Sequence, residues 1–331
     1  MVRVFAPATA ANLNVGFDNL GVALKPLSGA LGDEIRIEAA GKDSFSVTGP
    51  YAHEIQGANI VERALACVRE IAGSLEPVSL ELYKGMPVGS GLGSSAASVV
   101  ASVIACDEHY GNRLGERARI KLMGELEAKL SGGIHWDNIL PCALGGLRLG
   151  ASRLPVPVSW IWLVAYPGIR LETRAMRAVL PESIPLHNAV EQAARLGLFV
   201  DALYRGEGQE AARLMVDPVV EPCRASFIPG FETIKAALFA AGAIASGISG
   251  SGPTIFAIFD DRKSADKGLE RARQWISAVS GKPDTDSLSK LCGADKGAFA
   301  CLCSVDQSGA CVLPPSVSSE SRRDTQPQGK E

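Results

Sequence analysis

Residues 87–100, PVGSGLGSSAASVV, limit what this chain can fold into more than any other stretch of it. Gly89, Gly91 and Gly93 occupy every second position, and Ser94 and Ser95 follow them. The preceding PVSLELY alternates like a strand, and the following AASVVASVIAC is apolar on nearly every face, like a buried helix that the two serines would cap. A strand, a glycine-rich loop and a helix N-terminus direct backbone N–H groups to one point, which suits a phosphate.

The loop differs from the two common nucleotide-binding loops. A Walker loop has a lysine after its last glycine, whereas Gly93 is followed by Ser94, and the dinucleotide fingerprint is spaced GxGxxG rather than GxGxG. Without that lysine, the helix dipole, backbone donors and a metal ion must offset the phosphate charge. The sequence therefore predicts an anion-binding loop with a carboxylate nearby to hold the metal, and a simple tight glycine turn is the alternative interpretation.

The predicted helix 115–130 contains two carboxylates that helical periodicity separates. Glu125 lies four residues after Lys121, which places it in an outward-facing charged row. Glu127 lies four residues after Met123, on the apolar stripe of the helix. Because carboxylates are rarely buried without a partner, we expect a metal ion or a basic side chain to meet Glu127.

Composition narrows the class of protein. With 331 residues and 47% hydrophobic content the chain can bury a sizeable core, and its length predicts two domains rather than one. A net charge of -3 argues against nucleic acid as a partner. The sequence contains no run of about 18 apolar residues, so a membrane span is not predicted. We therefore expect a cytosolic protein with a small-molecule partner. Its eight cysteines are expected to be reduced thiols. The cluster Cys292, Cys301, Cys303 and Cys311 lacks the spacing of a metal site.

A coarse reading of periodicity predicts the main elements. Strands are expected at VRVFAPA, EIRIEA and WIWLVAYPG, and GISGSGPTIFAIFD is expected to be a glycine-rich turn entering a further buried strand. Helices are expected at 59–72, 173–180, 187–205 and 208–216. The proline-rich SRLPVPVSW suggests a boundary between domains 1–155 and 156–313, and the polar residues 314–331 suggest a disordered tail.

Three motifs together resemble those of the GHMP small-molecule kinases: APATAANLNVGFD, PVGSGLGSSAAS and GISGSGPTIFAIF. Within that superfamily, SGGIHWDN at 131–138 and EPCRASFIPG at 221–230 resemble the homoserine kinases, and the similarity covers about residues 1–260 with a weaker match at 297–313. The resemblance implies an α+β, two-domain GHMP kinase fold, with an N-terminal ribosomal S5 domain 2-like α/β domain and a C-terminal ferredoxin-like domain. It also implies ATP-dependent phosphorylation of L-homoserine in threonine biosynthesis, with Mg²⁺, and a possible homodimer.

The resemblance also implies site residues. The ATP phosphates would be bound by Pro87, Val88, Gly89, Ser90, Gly91, Leu92, Gly93, Ser94, Ser95, Ala96 and Ala97. Mg²⁺ would be held by Glu127 with Ser94 or Ser95. The amino-acid substrate would be bound by Asn12, Asp18, His135, Asp137, Asn138, Arg177 and Arg224. Arginines pair with an α-carboxylate through two hydrogen bonds, and an aspartate accepts from an α-ammonium.

Alternatives remain open for several of these residues. The catalytic set is predicted to be Asp137, Glu127 and Ser95, but the hydroxyl proton could pass to Asp137 or to the phosphate itself. By itself, Arg177 could be a surface charge, and His135 could be a structural histidine. The chain could also be a GHMP kinase for another alcohol, such as mevalonate, or a sensor of the same fold that transfers no phosphate. Residues 280–296 are predicted to be an insertion.

Overall fold

The computed structural model describes residues 1–55, 59–131, 133–280 and 297–314. The predicted insertion at 280–296 and the predicted tail at 314–331 lie, apart from the first residue of each, outside the described residues. None of the helices in the described ranges combines the length and the apolar character needed to cross a bilayer.

Strands and helices are interspersed along the described chain, in runs of one type rather than in strict alternation. The described strands are β1 (Val2–Pro7), β2 (Thr9–Ala11), β3 (Leu20–Pro26), β4 (Gly32–Ala39), β5 (Ser44–Thr48), β6 (Val78–Tyr83), β7 (Leu147–Leu149), β8 (Ser152–Leu154), β9 (Ile161–Tyr166), β10 (Ala245–Ile248), β11 (Ile255–Phe259), β12 (Phe299–Val305) and β13 (Cys311–Val312). The described helices are α1 (Ile60–Ala72), α2 (Ser94–His109), α3 (Glu116–Ser131), α4 (Trp136–Leu144), α5 (Thr173–Ala178), α6 (Leu186–Tyr204), α7 (Gly208–Arg213), α8 (Val220–Ala225), α9 (Phe231–Ala240) and α10 (Arg262–Ser280). Each helix and strand predicted from periodicity is present, with small differences at the ends.

The first sheet has five strands in the order β13-β1-β4-β6-β5. Its strands pair antiparallel except for β5 and β6, which are parallel. Val78, Leu80 and Leu82 of β6 are buried, as the alternating sequence predicts. Helix α2 packs across β1 and β4, with α1 and α3 beside it, so that its apolar surface lies inside the core.

The second sheet joins strands from distant parts of the sequence. Its order is β10-β11-β9-β12-β3-β7-β8, and β2 pairs with β3 beside this path. The sheet contains strands from both sides of residue 155. The domain boundary expected near this residue stays a prediction. The loop between β2 and β3, which carries the second half of the first motif, thereby comes close to the glycine-rich turn between β10 and β11, as the hydrogen bond from the Asn12 amide to the Gly250 carbonyl shows.

The start of α2 differs from the prediction. Gly93 is the N-cap residue, with a left-handed φ of 68°, and no side chain caps the helix. Ser94 is already helical, and its hydroxyl contacts the Met86 carbonyl at 3.4 Å, while the Ser95 hydroxyl bonds to another helix. The predicted serine caps are therefore wrong, because a glycine makes the turn and frees both hydroxyls for other partners.

The cysteines of the described residues are all free thiols. Cys301 and Cys303 lie on the same face of β12, with their sulfur atoms 3.7 Å apart, and both are buried. Cys292 lies outside the described residues. Among the residues that the structure describes, no group of three or more histidine, cysteine, aspartate and glutamate side chains could hold a metal ion.

Candidate active site

The glycine loop has an alternating backbone conformation. Gly89, Gly91 and Gly93 have φ values of 66°, 81° and 68°, whereas Ser90 and Leu92 between them do not have positive φ. This alternation turns successive N–H groups toward one side and forms the type of concave backbone nest that binds anions. No oxygen of the described residues accepts a backbone hydrogen bond from Gly91 or Gly93. The loop thus presents donors at the N-terminus of α2, where the helix dipole adds positive potential.

The turn between β10 and β11, residues 249–254, supports the glycine loop from behind. The Ser249 hydroxyl donates to the Gly91 carbonyl at 2.7 Å, and the Thr254 N–H donates to the Ser90 carbonyl at 3.1 Å. A Cβ at Gly91 would lie 2.3 Å from the Ser249 carbonyl oxygen. Glycine is therefore required at Gly91 both by its left-handed φ and by the close approach of the second loop.

A buried lysine lies beneath the start of α2. Lys84 Nζ donates to Asp33 Oδ2 at 2.5 Å and to the Ser94 carbonyl and the Ser98 hydroxyl at 2.9 Å each. Lys84 and Asp33 are both at most 1% exposed, so the two charges compensate each other inside the core. Lys84 was not predicted from the sequence. Its position nevertheless continues the inward-facing, even-numbered positions of β6, which are Val78, Leu80 and Leu82.

Ser95 and Glu127 meet between α2 and α3. Ser95 Oγ donates to Glu127 Oε2 at 2.7 Å, and Glu127 is only 4% exposed. Glu125 instead has an exposed side chain, with an oxygen 3.7 Å from Lys121 Nζ. The helix phase predicted from the sequence is therefore confirmed: one carboxylate is buried beside the glycine loop and the other is on the surface.

The pairing of Ser95 with Glu127 suits a hard cation. Mg²⁺ takes oxygen ligands and is usually held by one or two carboxylates together with phosphate oxygens and water. One carboxylate and one hydroxyl next to an anion-binding nest match that donor set. They do not form a complete metal site by themselves, which fits a metal that is bound together with a nucleotide. The assignment of Glu127 and Ser95 as ligands stays a prediction.

Two arginines, Arg177 and Arg224, lie at the ring of Phe17. The guanidinium carbons of Arg177 and Arg224 lie 5.7 and 5.6 Å from the centroid of Phe17. Arg177 Nη2 donates to both carboxylate oxygens of Asp18 at 2.8 Å. Arg224 is buried, and its Nη1 donates to the Gly250 carbonyl at 2.9 Å. Arg177 is thus not an isolated surface charge, because it contacts both Asp18 and Phe17. The sequence of α5 alone would have suggested a surface charge.

Asn12 and Asp18 both shape the loop and face the arginines. Asn12 Nδ2 donates to the Gly250 carbonyl at 3.0 Å, and Asn12 Oδ1 accepts from the Asp18 N–H at 2.9 Å. Both residues have left-handed φ values, 68° for Asn12 and 56° for Asp18, which asparagine and aspartate tolerate better than most residues. They therefore form the turns of this loop, and they also belong to the cluster around Phe17.

The start of α4 contributes two titratable side chains to the cluster. Burial raises the pKa of Asp137 to about 7, and the charge of Asp18 adds to the rise, while a hydrogen bond from Asn138 and the charge of Arg177 act in the opposite direction. Asp137 therefore changes protonation near neutral pH, as a general base commonly does. Burial, assisted by the positive charge of Arg177, lowers the pKa of His135 and keeps it neutral at pH 7.

Asn138 and Thr9 connect this cluster with the glycine loop. Thr9 Oγ1 donates to Asn138 Oδ1 at 2.8 Å. A Cβ at Gly93 would lie 2.0 Å from Thr9 Oγ1 and 2.9 Å from Asn138 Oδ1, so these side chains lie directly against the end of the nest. An anion in the nest and a ligand beside Asp137 would consequently be neighbours.

Comparison with known proteins shows the family to which this chain belongs. The GHMP kinases N terminal domain matches residues 59–146, and the GHMP kinases C terminal domain matches residues 199–278. The solved structure of homoserine kinase from Cytophaga hutchinsonii is 33% identical, covers 94% of this chain and 97% of its own chain, and has a TM-score of 0.82. The chain belongs to the GHMP kinase family. Its fold is accordingly the two-domain α+β GHMP kinase fold that the sequence motifs implied.

More distant solved structures share the fold of this GHMP kinase. A protein of Listeria monocytogenes described as a homoserine kinase is 22% identical over 95% of this chain and 100% of its own chain, with a TM-score of 0.65. Streptococcus pneumoniae phosphomevalonate kinase, solved in complex with phosphomevalonate and AMPPNP, is 14% identical over 83% of this chain and 97% of its own chain, with a TM-score of 0.61.

The predicted site residues of this GHMP kinase form two adjoining groups. The glycine loop with Ser95 and Glu127 is one group, and the second contains Asn12, Asp18, His135, Asp137, Asn138, Arg177 and Arg224. Three contributors were missed: Thr9, Phe17 and Lys84. An aromatic residue directly before Asp18 was a usable signal for Phe17. The partnership of Thr9 with Asn138 spans 129 residues and had no local signal.

Proposed function

We propose that this GHMP kinase is a homoserine kinase, which transfers the γ-phosphoryl group of ATP to the hydroxyl of L-homoserine. The cluster of two arginines and two aspartates around Phe17, next to the glycine loop, carries the proposal. A zwitterionic amino acid needs both kinds of charge, whereas an alcohol with only a carboxylate needs arginines alone. The 33% identity with the Cytophaga hutchinsonii homoserine kinase supports the same acceptor.

The side chains can be given roles in acceptor binding. Arg224 is buried, and its Nε and Nη1 donate to the Met176 and Gly250 carbonyls. Among the described residues its Nη2 has no acceptor, so it can orient an α-carboxylate together with Arg177. Asp18, now paired with Arg177, can exchange that partner for the α-ammonium group. Binding in this way would hold the acceptor hydroxyl toward Asp137 and the end of the nest at Gly93.

The loop from Pro87 to Ala97 is proposed to bind ATP, with the backbone N–H groups of Gly91 and Gly93 directed at the phosphates. Ser95 and Glu127 would hold Mg²⁺ against the phosphates, and the bound ion would neutralise charge that develops on the phosphoryl oxygens. Lys84 supports the loop from below, but its charge is balanced by Asp33. Catalysis would then depend mainly on alignment and electrostatic stabilisation, as is general for phosphoryl transfer.

Asp137 is the proposed acceptor of the hydroxyl proton. Its pKa of about 7 makes the ionised form available at neutral pH while leaving it basic enough to take a proton. Transfer of the proton to the phosphate is the alternative. The two are separated by whether Asp137→Asn abolishes the rise of kcat with pH. A second aspartate, Asp18, is nearby to serve the ammonium group, so Asp137 does not have to perform both roles.

Two other functions remain as alternatives. Another GHMP kinase with a mevalonate-like acceptor would explain the arginines, but it would leave Asp18 and Asp137 without an ammonium partner. A sensor that binds nucleotide and amino acid without transfer would explain the fold, but it would not require the buried contact between Ser95 and Glu127. Residence in the cytosol, a role in threonine biosynthesis and a possible homodimer are also parts of the proposal, and the last two follow from the family resemblance.

The first prediction concerns the acceptor. ADP release with ATP and Mg²⁺ should be fastest with homoserine when homoserine, serine, threonine, mevalonate and galactose are compared. Adding 4-hydroxybutyrate, which keeps the carboxylate and hydroxyl of homoserine but lacks its ammonium, tests the aspartates directly. Faster turnover of mevalonate or galactose would overturn the assignment, and binding of homoserine without ADP release would favour the sensor.

The second prediction concerns Arg224. Arg224→Ala should raise the KM for homoserine about 30-fold or more, because losing a charged hydrogen bond to a carboxylate costs about 2 to 5 kcal/mol. The KM for ATP should stay within about twofold, since Arg224 faces Phe17 rather than the nest. Steady-state kinetics with each substrate varied in turn measure both constants.

Arg205→Ala is the matched control for this variant. Arg205 is an exposed arginine that pairs with Asp201 at the end of α6, away from the cluster. It should leave both KM values unchanged. Equal increases in the two KM values of Arg224→Ala would show that Arg224 maintains the fold of α8 rather than binding the acceptor.

A further inference from the structure

The loop between β2 and β3 contains a stretch of unusual backbone. Asn12, Leu13 and Asn14 all have left-handed φ values, of 68°, 49° and 58°. Asparagine tolerates this conformation, but leucine adopts it only at an energetic cost, so the surrounding structure must hold the stretch in place. Its geometry matters because the Asn12 side chain bonds to both the Gly250 carbonyl and the Asp18 N–H.

A partly buried carboxylate, Glu221, holds the far end of this stretch. Asn14 Nδ2 donates to Glu221 Oε2 at 2.6 Å and to the Ser246 carbonyl at 3.3 Å, and Asn14 is 3% exposed. Gly247 leaves the space that the Asn14 amide occupies, since a Cβ at this position would lie 2.2 Å from Asn14 Nδ2. Asn14 therefore sits in a shaped pocket whose charged wall is Glu221.

Glu221 also connects this loop to the helices that follow it. Its second oxygen accepts a hydrogen bond from Lys235 on α9, which pairs a charge that burial would otherwise disfavour. Arg224 follows three residues later on α8 and donates to the same Gly250 carbonyl as Asn12. Because α8 has only six residues, contacts of this kind rather than its internal hydrogen bonds fix its orientation.

We propose that Glu221 is a positioning residue for the acceptor. By holding Asn14 against α8, it keeps Asn12, Asp18 and Arg224 in the arrangement that faces the amino acid. The inference rests on the proposed function, because it takes the cluster around Phe17 to be the acceptor site. Both oxygens of Glu221 are engaged inside the protein, so it acts through these neighbours and not by contact with substrate.

The test compares two substitutions at the same contact. Glu221→Gln keeps the shape but has a single acceptor oxygen, so it cannot serve both Asn14 and Lys235. It should raise the acceptor KM about tenfold and leave the ATP KM within about twofold. Asn14→Gly removes the same hydrogen bond while tolerating the left-handed φ, and it should raise the acceptor KM similarly. The acceptor KM of the double variant should be only slightly higher than that of the more affected single variant, because both changes remove the same hydrogen bond.

Glu34→Gln is the matched control. Glu34 is a largely buried carboxylate bonded to Arg3 and Arg36 on the first sheet, so its loss should lower the melting temperature without changing either KM. The inference is overturned if Glu221→Gln lowers the melting temperature but leaves the acceptor KM unchanged, or if the Asn14 and Glu221 effects are additive. All variants are measured with the acceptor that the wild type phosphorylates fastest. Failure of the homoserine assignment therefore appears in the wild type alone and is distinct from failure of this inference.

Discussion

Asp137→Asn is expected to lower kcat for homoserine at least about a hundredfold, because a positioned general base contributes about 10² to 10⁴ in rate. Asparagine keeps the size and polarity of the side chain but cannot accept the hydroxyl proton. The wild-type kcat should rise with pH through a region near 7, which is where Asp137 loses its own proton. The residual activity of the variant should lack this rise. Steady-state kinetics between pH 5.5 and 8.5 measure both effects.

The same substitution should increase the free energy of unfolding at pH 8. The pKa of Asp137 is about 7 in the folded protein and 3.8 in the reference state, so the folded state binds the proton more tightly. Stability due to this group is therefore present at low pH and is lost as the pH rises from about 4 to about 7. Three pKa units correspond to about 4 kcal/mol at most, at 1.36 kcal/mol per unit. Asp137→Asn removes this loss, and thermal melts at pH 5 and pH 8 should show its advantage growing with pH.

Asp107→Asn provides the control for burial of an aspartate. Asp107 is completely buried, pairs with Arg119 and accepts the Leu114 N–H, and it lies outside the candidate site. Its replacement should lower the melting temperature and leave kcat nearly unchanged. A variant at Asp137 that is inactive and also less stable at pH 8 would mean that the carboxylate holds the fold together. An active variant with an unchanged pH profile would mean that the phosphate takes the proton.

Local patterns predicted the parts of this protein that depend on neighbours along the chain. Three glycines at alternate positions predicted a loop of backbone donors, and their left-handed φ values confirm that conformation. The spacing of Glu125 and Glu127 from their helical neighbours predicted one exposed and one buried carboxylate, and this too is confirmed. In each case the signal and its structural consequence lie within one helix or one loop.

The remaining features depend on contacts between distant segments. Asp18 and Arg177 are 159 residues apart, and only the family motifs suggested that they belong to one site. Glu221 was not singled out, because its partner Asn14 is 207 residues away. The serine caps of α2 were mispredicted because residue preference at a helix start was outweighed by Gly93, which makes the turn and leaves Ser95 to bond with Glu127 on another helix.

Glu127→Gln should lower kcat at least about a hundredfold, equivalent to about 2.7 kcal/mol of transition-state stabilisation. The substitution keeps the volume and can still accept from Ser95 Oγ, so the contact between α2 and α3 should survive. What it removes is the negative charge proposed to hold Mg²⁺ beside the glycine loop. The Mg²⁺ concentration for half-maximal activity should rise, and calorimetry should show weaker Mg²⁺-dependent binding of ATP. Thermal melts without nucleotide should differ little from the wild type.

Glu125→Gln separates this effect from a general loss of negative charge on α3. Glu125 lies two residues away with an exposed side chain, and its contact with Lys121 at 3.7 Å is the kind of surface pair that contributes a few tenths of a kcal/mol. Its replacement should change kcat by less than about twofold and stability by less than about 1 kcal/mol. If Glu127→Gln stays active over the whole Mg²⁺ titration, the buried carboxylate serves only to bond Ser95, and the metal must be held by other groups. If both variants lose activity equally, the charge of α3 as a whole matters, and the face of the helix that carries each carboxylate does not decide function.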